Sequence, residues 1–586
     1  MDDMNLDPKQ RLLRQAYLQQ VHSATQRSKD ASQQKLNGCL TLLAENRANP
    51  AAYINLASCY EELNRFDDAL ETLREGLVQC PSTPRLYRRY AGMLAQCNRT
   101  QEAIQVARAG AQLYPEDMRF RFMERLLLPI LYHRPEEVDS YRERFSAGLV
   151  ELVNNVDLGS ATVQRSALEA IAKHVNFYLA YQGRDDVALQ RQYGRLVERV
   201  MAAHYPPWTQ PRPMPAMPAD GRLRIGYVSA HFRSHSVSNT HAGWLFEHNR
   251  NAFRVYAYSM SNKKDHVTER VQRASEFRQC TGELSAACDA ILADQLHILV
   301  FLDIGMEPKM TQLAALRLAP VQCVTWGHPV TSGLRSVDYF LSSELMEPPD
   351  GDDHYSERLV RLPGIGIYYD KPAVPTVLFM RNRADFGLRE QAIVYLSCQS
   401  IFKYLPDHDA VFAEIAKRNP LAQFVFLVPN SVVGRDFRSR LDGAFVAVGL
   451  QSAEHCLLLP QQRMFDYWNL HLVSDVCLDS IEWSGCNSTM EAIACKLPVV
   501  TMPGRFMRGR HSYAILTQLG VTETIAKNKQ EYISIAARLG LDRDWRHDVV
   551  ARMVANHPRL YWDTRSISAL EGFYRSVVDA KLRMQH

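Results

Sequence analysis

Residues 475–511 read DVCLDSIEWSGCNSTMEAIACKLPVVTMPGRFMRGRH. Asp475–Asp479 is a short apolar run ending in an acid, the pattern of a buried strand. Trp483-Ser484-Gly485-Cys486-Asn487 is a turn, and Ser488 or Thr489 is placed to cap a helix running to about Lys496. Leu497–Met502 is a second apolar strand, broken by Pro503-Gly504. Strand, helix, strand is a βαβ unit, and it predicts a parallel sheet. The small residues of the turn, Gly485 among them, allow the first helix amides to point at a ligand, and a helix N-terminus attracts phosphate. Glu491 would repel a phosphate but suits the hydroxyls of a ribose. Arg505, Arg508, Arg510 and His511 follow the next strand and are candidate donors to a diphosphate. A plain βαβ unit with a capped helix and a solvated basic loop accounts for the stretch equally well.

Outward from this unit the texture is the same. Ile393–Cys398, Gln423–Val428 and Cys456–Leu459 precede it as apolar runs separated by helical segments. A polar segment near Pro372–Gly387 separates that series from an earlier one: Leu223–Ser229, Phe253–Ser259, Leu296–Asp303, Val321–Trp326, Asp338–Ser343 and Leu359–Leu362. The expectation is two α/β units in tandem, 222–380 and 381–545, with helices over 546–586. Ahead of them, 206–221 (PPWTQPRPMPAMPADG) reads as a proline-rich linker, and 1–205 reads as helical.

Within that helical region a repeat is visible. Tyr53, Leu56, Ala57, Tyr60, Ala69, Leu73, Gly76 and Pro81 recur 34 residues later as Tyr87, Tyr90, Ala91, Leu94, Ala103, Ala107, Gly110 and Pro115. This is the tetratricopeptide pattern, with clear units at 50–83 and 84–117 and degenerate ones expected near 12–48 and 118–153. Such stacks form a groove for peptides, or serve as a helical spacer.

Composition narrows the classes. The 586 residues are 46% hydrophobic and 23% charged, as in an ordinary globular protein. A net charge of +4 does not point to nucleic acid, and no run approaches a membrane span. The N-terminus MDDMNLDPKQ lacks a signal-peptide core, and the 12 cysteines show no CxxC, so reduced thiols in the cytoplasm are expected. Asp350-Gly351-Asp352 has the form of a DxD metal motif but sits among turn-formers, so a solvated loop is expected and no metal.

In α/β units ligands bind at the carboxyl ends of strands, so the residues that follow strands are the candidates. After the first strand, His231, His235 and His241 share a loop and helix start with Arg233; His235 is the best candidate to move a proton. Asp303 is a candidate base or a group orienting a histidine. His328, in Trp326-Gly327-His328-Pro329, is a candidate sugar or phosphate contact. Lys403, with Gln399 and Ser400 beside it, is placed to offset charge on a leaving diphosphate. Tyr467 either stacks on a base or packs its helix.

Taken together, LRIGYVSAHFRSHSVSNTH with His241, QLHILVFLDIGM, LAPVQCVTWGHPVTSGLRSVDYFLSS, CQSIFKYLP and SDVCLD…SGCNSTMEA…PVVTMPG resemble the O-linked N-acetylglucosamine transferase and SPINDLY family of protein glycosyltransferases. They come in that family's order behind tetratricopeptide repeats. The resemblance implies an α/β GT-B fold, two Rossmann-like domains preceded by an all-α repeat domain. It implies inverting transfer of a sugar, most often N-acetylglucosamine from UDP-GlcNAc, to serine or threonine of a protein, with no cofactor or metal. By position it implies His235 as the first-loop histidine once proposed as base and Lys403 on the diphosphate. It also implies Tyr467 on the nucleobase, Asn487 and Ser488 at the phosphate, and Glu491 at the ribose. The family's animal enzymes carry His-Thr-Thr where this chain has Cys486-Asn487-Ser488, and aspartate where it has Glu491, so the donor stays open between UDP-GlcNAc, UDP-glucose and GDP-fucose. An asparagine acceptor, a nucleotide-sugar epimerase and a non-catalytic repeat scaffold remain alternatives, and self-association is undecided.

Overall fold

The computed structural model describes residues 8–374 and 381–585; the middle of the expected Pro372–Gly387 linker lies outside them. Both clear repeats are helical hairpins: Pro50–Glu62 with Phe66–Gln79, and Pro84–Gln96 with Thr100–Leu113. Proline opens the first helix of each, where its missing N–H has no partner to lose. The repeated glycines have a steric reason. A Cβ on Gly76 would lie 2.8 Å from the Tyr53 ring, and one on Gly110 would lie 2.4 Å from the Phe120 ring. Asn64 and Asn98, both left-handed with φ of 59° and 58°, close the two turns.

The expected degenerate repeat at 12–48 is not a hairpin. Pro8–Glu45 is a single helix that runs through Asn37-Gly38. Leu36, Cys39 and Leu43 form one face packed on Leu56, Cys59 and Tyr60, which holds the helix continuous. The repeats rest on the second α/β unit. Asn98 Nδ2 donates to Asp436 Oδ2 at 3.2 Å, Ser431 N donates to Asn64 Oδ1 at 3.3 Å, and Asn430 Nδ2 donates to the Gln96 carbonyl at 3.2 Å.

Helices from Met118 onward bury Phe122, Phe145, Leu149, Tyr193 and Leu196 in the core of the α/β region, separate from the repeats' own core. The proline-rich stretch is held down as well. Tyr205 stacks on Trp208 at 5.1 Å, the Trp208 carbonyl accepts from Arg317 N at 2.7 Å, and Met214 is buried.

The first sheet has seven parallel strands: β1 Leu223–Ser229, β2 Phe253–Ser259, β3 Glu276–Gln279, β4 Ile298–Phe301, β5 Val321–Thr325, β6 Tyr339–Ser343 and β7 Arg358–Leu362. Their order is β3-β2-β1-β4-β5-β6-β7. The second has five parallel strands: β8 Ile393–Ser397, β9 Ala422–Val428, β10 Cys456–Pro460, β11 Val476–Leu478 and β12 Val499–Val500, ordered β10-β9-β8-β11-β12. The sequence predicts eleven of the twelve; β3 (EFRQ) is a partly exposed edge strand without an apolar run. Strand order reverses between β1 and β4 and between β8 and β11. At such points the outgoing loops diverge and leave a crevice. The last helix, Arg565–Gln585, lies back across the first sheet: Tyr574 Oη sits 3.2 Å from Tyr227 Oη, and Glu571 accepts from Asn249 N at 2.8 Å.

Candidate functional site

The loops after β1, β5, β8 and β11 face one another across a cleft of about 730 Å³. That volume suits a nucleotide-sized ligand. His235, His328, Gln399, Lys403, Tyr467, Asn487, Ser488, Glu491 and His511 all line it.

At its centre is the start of the helix Asn487–Ala494. Cys486 occupies the cap position and makes no side-chain cap, so the expected Ser488 or Thr489 cap is corrected. The cause is Asp479, just beyond β11. Its carboxylate accepts from Gly485 N (2.7 Å), Ser484 Oγ (2.6 Å) and Thr501 Oγ1 (2.7 Å), which draws the turn inward and starts the helix early. Ser488 then lies inside the first turn, where its Oγ accepts from Gln399 Nε2 at 2.5 Å. Thr489 does not reach the cleft; its hydroxyl donates back to the Gly485 carbonyl at 3.0 Å and meets Ser512 Oγ at 2.6 Å. Gly485 acts by its lack of a side chain: a Cβ there would stand 2.3 Å from both Gln399 Nε2 and Ser488 Oγ. Asn487 ties the two α/β units together, accepting from Tyr369 Oη (2.6 Å) and donating to the Ser236 carbonyl (3.1 Å). Its side chain is spent on that bridge, so the helix amides are what this turn offers an anion.

Lys403 Nζ donates to Gln399 Oε1 at 2.6 Å. It is the single Lys or Arg lining the cleft among the described residues. Burial lowers its pKa to about 8, opposed by the Asp479 carboxylate.

The basic loop after β12 does not supply the donors expected of it. Arg508 is buried in an ion pair with Asp186 at 3.1 Å and donates to the Arg184 carbonyl at 2.5 Å, clamping the helical region to the second α/β unit. Arg510 donates to the Met346 carbonyl. His511 does line the cleft, with Nδ1 3.1 Å from Met346 Sδ, but burial holds it down to about 3, so it is neutral.

On the facing wall, His235 caps the helix Ser236–Glu247, its Nδ1 accepting from Val237 N at 3.3 Å. Its ring stacks on His231 at 3.8 Å. Burial, then Arg233, lower its pKa to about 4. A neutral imidazole whose Nδ1 accepts carries its proton on Nε2. In this arrangement His235 presents a donor to the cleft. Asp303 is buried beneath this loop and accepts from Ala230 N at 3.0 Å and Ser229 Oγ at 3.2 Å. It faces His231 at 3.7 Å, supporting the loop from below instead of lining the cleft. His328 Nε2 is buried without a protein partner while its ring lies on Phe177 at 5.2 Å. Burial holds it down to about 3, so the ring is neutral and a weak base.

Tyr467, Trp468 and Glu491 form the far end. Burial pushes the Glu491 carboxyl up to about 7, and the Tyr467 hydroxyl bonds to it.

Sequence reasoning missed an aromatic seam. Tyr181 meets Trp483 at 3.9 Å and Phe402 at 4.4 Å, and Phe177 meets Phe402 at 5.5 Å. The rings come from the helical region and the second α/β unit, and they close on His328 of the first. The run Phe177-Tyr178-Leu179-Ala180-Tyr181 was its visible signal. In the DxD-like loop, Asp352 is paired with Arg361 at 2.5 Å. Among the described residues no group of three or more His, Cys, Asp or Glu is gathered as metal ligands, and no helix is long and apolar enough to cross a membrane.

Two parallel-sheet units facing across a cleft, behind tetratricopeptide repeats, define the GT-B class of fold. The chain belongs to glycosyl transferase family 41, whose model matches residues 144–371 and 368–567, while a tetratricopeptide model matches 50–93. It is 28% identical over 375 residues to a probable UDP-N-acetylglucosamine–peptide N-acetylglucosaminyltransferase SPINDLY of Oryza sativa, covering 62% of this chain and 39% of that protein. It is 27% identical over 348 residues to the SEC protein of Arabidopsis thaliana, covering 58% and 35%. The chain thus spans about four tenths of the length of the curated relatives it matches. A mutant of the Thermobaculum terrenum O-GlcNAc transferase has the same fold, with a TM-score of 0.67, 22% identity, and coverage of 99% and 100%.

Proposed function

We propose that this chain is an inverting glycosyltransferase that moves a sugar, N-acetylglucosamine from UDP-GlcNAc, onto serine or threonine hydroxyls of proteins. One observation carries the reading: a single cation, Lys403, stands beside an uncapped helix N-terminus in the crevice between two parallel sheets. Family membership and relatives named as peptide N-acetylglucosaminyltransferases supply the donor and acceptor class.

In this reading the diphosphate lies against the amides at Asn487–Ser488, with Lys403 on its oxygens. Tyr467 stacks on the base, and Glu491 holds the ribose. His235 Nε2–H and the free His328 Nε2 face the sugar and the incoming hydroxyl. Charge grows on the departing diphosphate, so Lys403 and the helix amides stabilise the transition state more than the bound donor. The hydroxyl proton leaves late, which lowers the demand for a strong base. The acceptor enters from the repeats, and the reaction proceeds in the cytoplasm without a metal.

The test is donor-dependent labelling of protein by UDP-GlcNAc, UDP-glucose and GDP-fucose, each with and without EDTA. Labelling by UDP-GlcNAc that survives chelation is the expected result. Labelling by another donor alone reassigns the sugar, and nucleotide binding without any labelling supports a scaffold instead.

A further inference from the structure

The nucleotide end of the cleft holds chemistry that sugar transfer does not use. His471 Nδ1 lies 2.9 Å from the Tyr467 carbonyl. A carbonyl only accepts, so Nδ1 carries the proton and Nε2 of the neutral ring holds a lone pair. That Nε2 faces Cys398 Sγ at 3.8 Å. The same sulfur lies 3.5 Å from Tyr467 Oη, with the Cys477 thiol as a neighbour. Cys398 follows β8, Cys477 lies on β11, and the two strands are paired. Cys398 is half-buried and lines the cleft. One sulfur thus has an open face, a base behind it and a second thiol beside it. Reactive cysteines have this setting, whereas structural ones are enclosed in apolar surroundings.

The electrostatics agree. The Cys477 thiol and then His471 hold the Cys398 thiol well below the usual thiol range, against the opposing effect of burial. Burial opposes the charged form of His471, but Cys398 and, to a smaller extent, the Tyr467 carbonyl and Glu491 raise its pKa. Cys486 lines the same cleft without such partners, and burial pushes it up to about 12.

We propose that Cys398 is a modification site, a nucleophilic thiol that captures peroxides and soft electrophiles entering the cleft, with Cys477 as its resolving partner. His471 Nε2 takes the thiol proton, and the thiolate sulfur attacks a peroxide oxygen. The O–O bond breaks, a sulfenic acid forms, and the leaving hydroxide regains a proton to become water. The Cys477 sulfur then attacks the sulfenic sulfur, the S–S bond forms, and a second water leaves. Two thiols are oxidised and one peroxide is reduced. The disulfide draws Cys398 away from Tyr467 and weakens nucleotide binding; this last consequence, unlike the modification, rests on the proposed function.

The test uses the full chain. Substoichiometric iodoacetamide at neutral pH, followed by peptide mapping, is expected to label Cys398 first, roughly tenfold faster than the half-buried Cys80. His471→Gln slows that labelling by a similar factor. Hydrogen peroxide removes about 2 Da and yields a Cys398–Cys477 linked peptide, whereas Cys477→Ser leaves a dimedone-trapped sulfenic acid at Cys398. Faster reaction at Cys80 or Cys486, or peroxide treatment without product at Cys398, overturns the proposal, and wild-type labelling alone decides this even if a variant misfolds. If UDP slows alkylation, both readings gain. If Cys398 still reacts first but UDP gives no protection, the thiol assignment stands and the nucleotide reading fails.

Discussion

Lys403→Ala removes the one ammonium that lines the cleft among the described residues. A cation about 4 Å from a phosphate oxygen is worth roughly 4 kcal/mol at an effective dielectric near 20. Part of that acts on the bound donor, whose diphosphate is already charged. The remainder acts only as the glycosidic bond breaks, so turnover should fall by ~10²–10³-fold. UDP affinity should fall by a smaller factor, because Gln399, Ser488 and the helix amides stay in place. The fold should not suffer, since a desolvated charge is removed from a protein that held it at a penalty. Burial has lowered the Lys403 pKa to about 8, so the free protein carries the binding form below that pH and loses it above. UDP affinity of the wild type should therefore weaken as pH rises through about 8, and that of the variant should be flat. Initial rates of donor-dependent labelling, with a UDP thermal-shift series across pH, read both quantities. Turnover within about threefold of wild type, at saturating donor, would refute the assignment of Lys403 to the leaving group.

Three further outcomes are expected. His174, His231, His235, His241, His297, His328, His408 and His511 are held down to about 3 or 4, chiefly by burial. Their folded values lie below the unfolded 6.5, so the native state binds fewer protons and stability is lost as pH falls from 6.5 toward 4. Asp303, Glu347 and Glu491, raised to about 7, oppose this, and Asp186, Glu198, Asp409, Asp479 and Glu482, also raised by burial, oppose it further without reversing it. The melting temperature should drop steeply over that window, and a flat profile contradicts the burial of these rings. Arg508→Ala leaves Asp186 buried with Arg142 at 2.9 Å as its remaining partner, so the loss should be near the lower end of ~3–5 kcal/mol, several degrees in a melt. An unchanged melt would show that the clamp contributes nothing. Gly485→Ala pushes Gln399 and Ser488 apart, so UDP binding should weaken while the melting temperature shifts little; retained affinity would place the diphosphate elsewhere.

Much of the fold was legible because its signals are local. Apolar runs bounded by breakers located eleven strands, and small residues at a fixed spacing located both repeat hairpins. What failed is what depends on partners distant in sequence. The stretch 12–48 reads as a degenerate repeat, yet it forms one helix whose face packs on Leu56 and Cys59. Arg508 reads as a free donor until Asp186, over three hundred residues earlier, takes its charge. The cleft residues were reachable because a strand's end states where its next residues point. The aromatic seam was not, since no single segment holds more than part of it.

The seam also bears on how the molecule exchanges ligands. Tyr181, Trp483 and His328 belong to three different parts of the chain yet pack ring against ring. Swinging the two sheets apart would strip all of them at once, in addition to breaking the Asn487 bridge to Tyr369. Opening by a hinge between the sheets thus carries the cost of unpacking these rings. Met464 and Trp468 line the same cleft, and side-chain shifts there would open it without unpacking the rings. Turnover in such a vessel should respond to substitutions there more than to solvent viscosity.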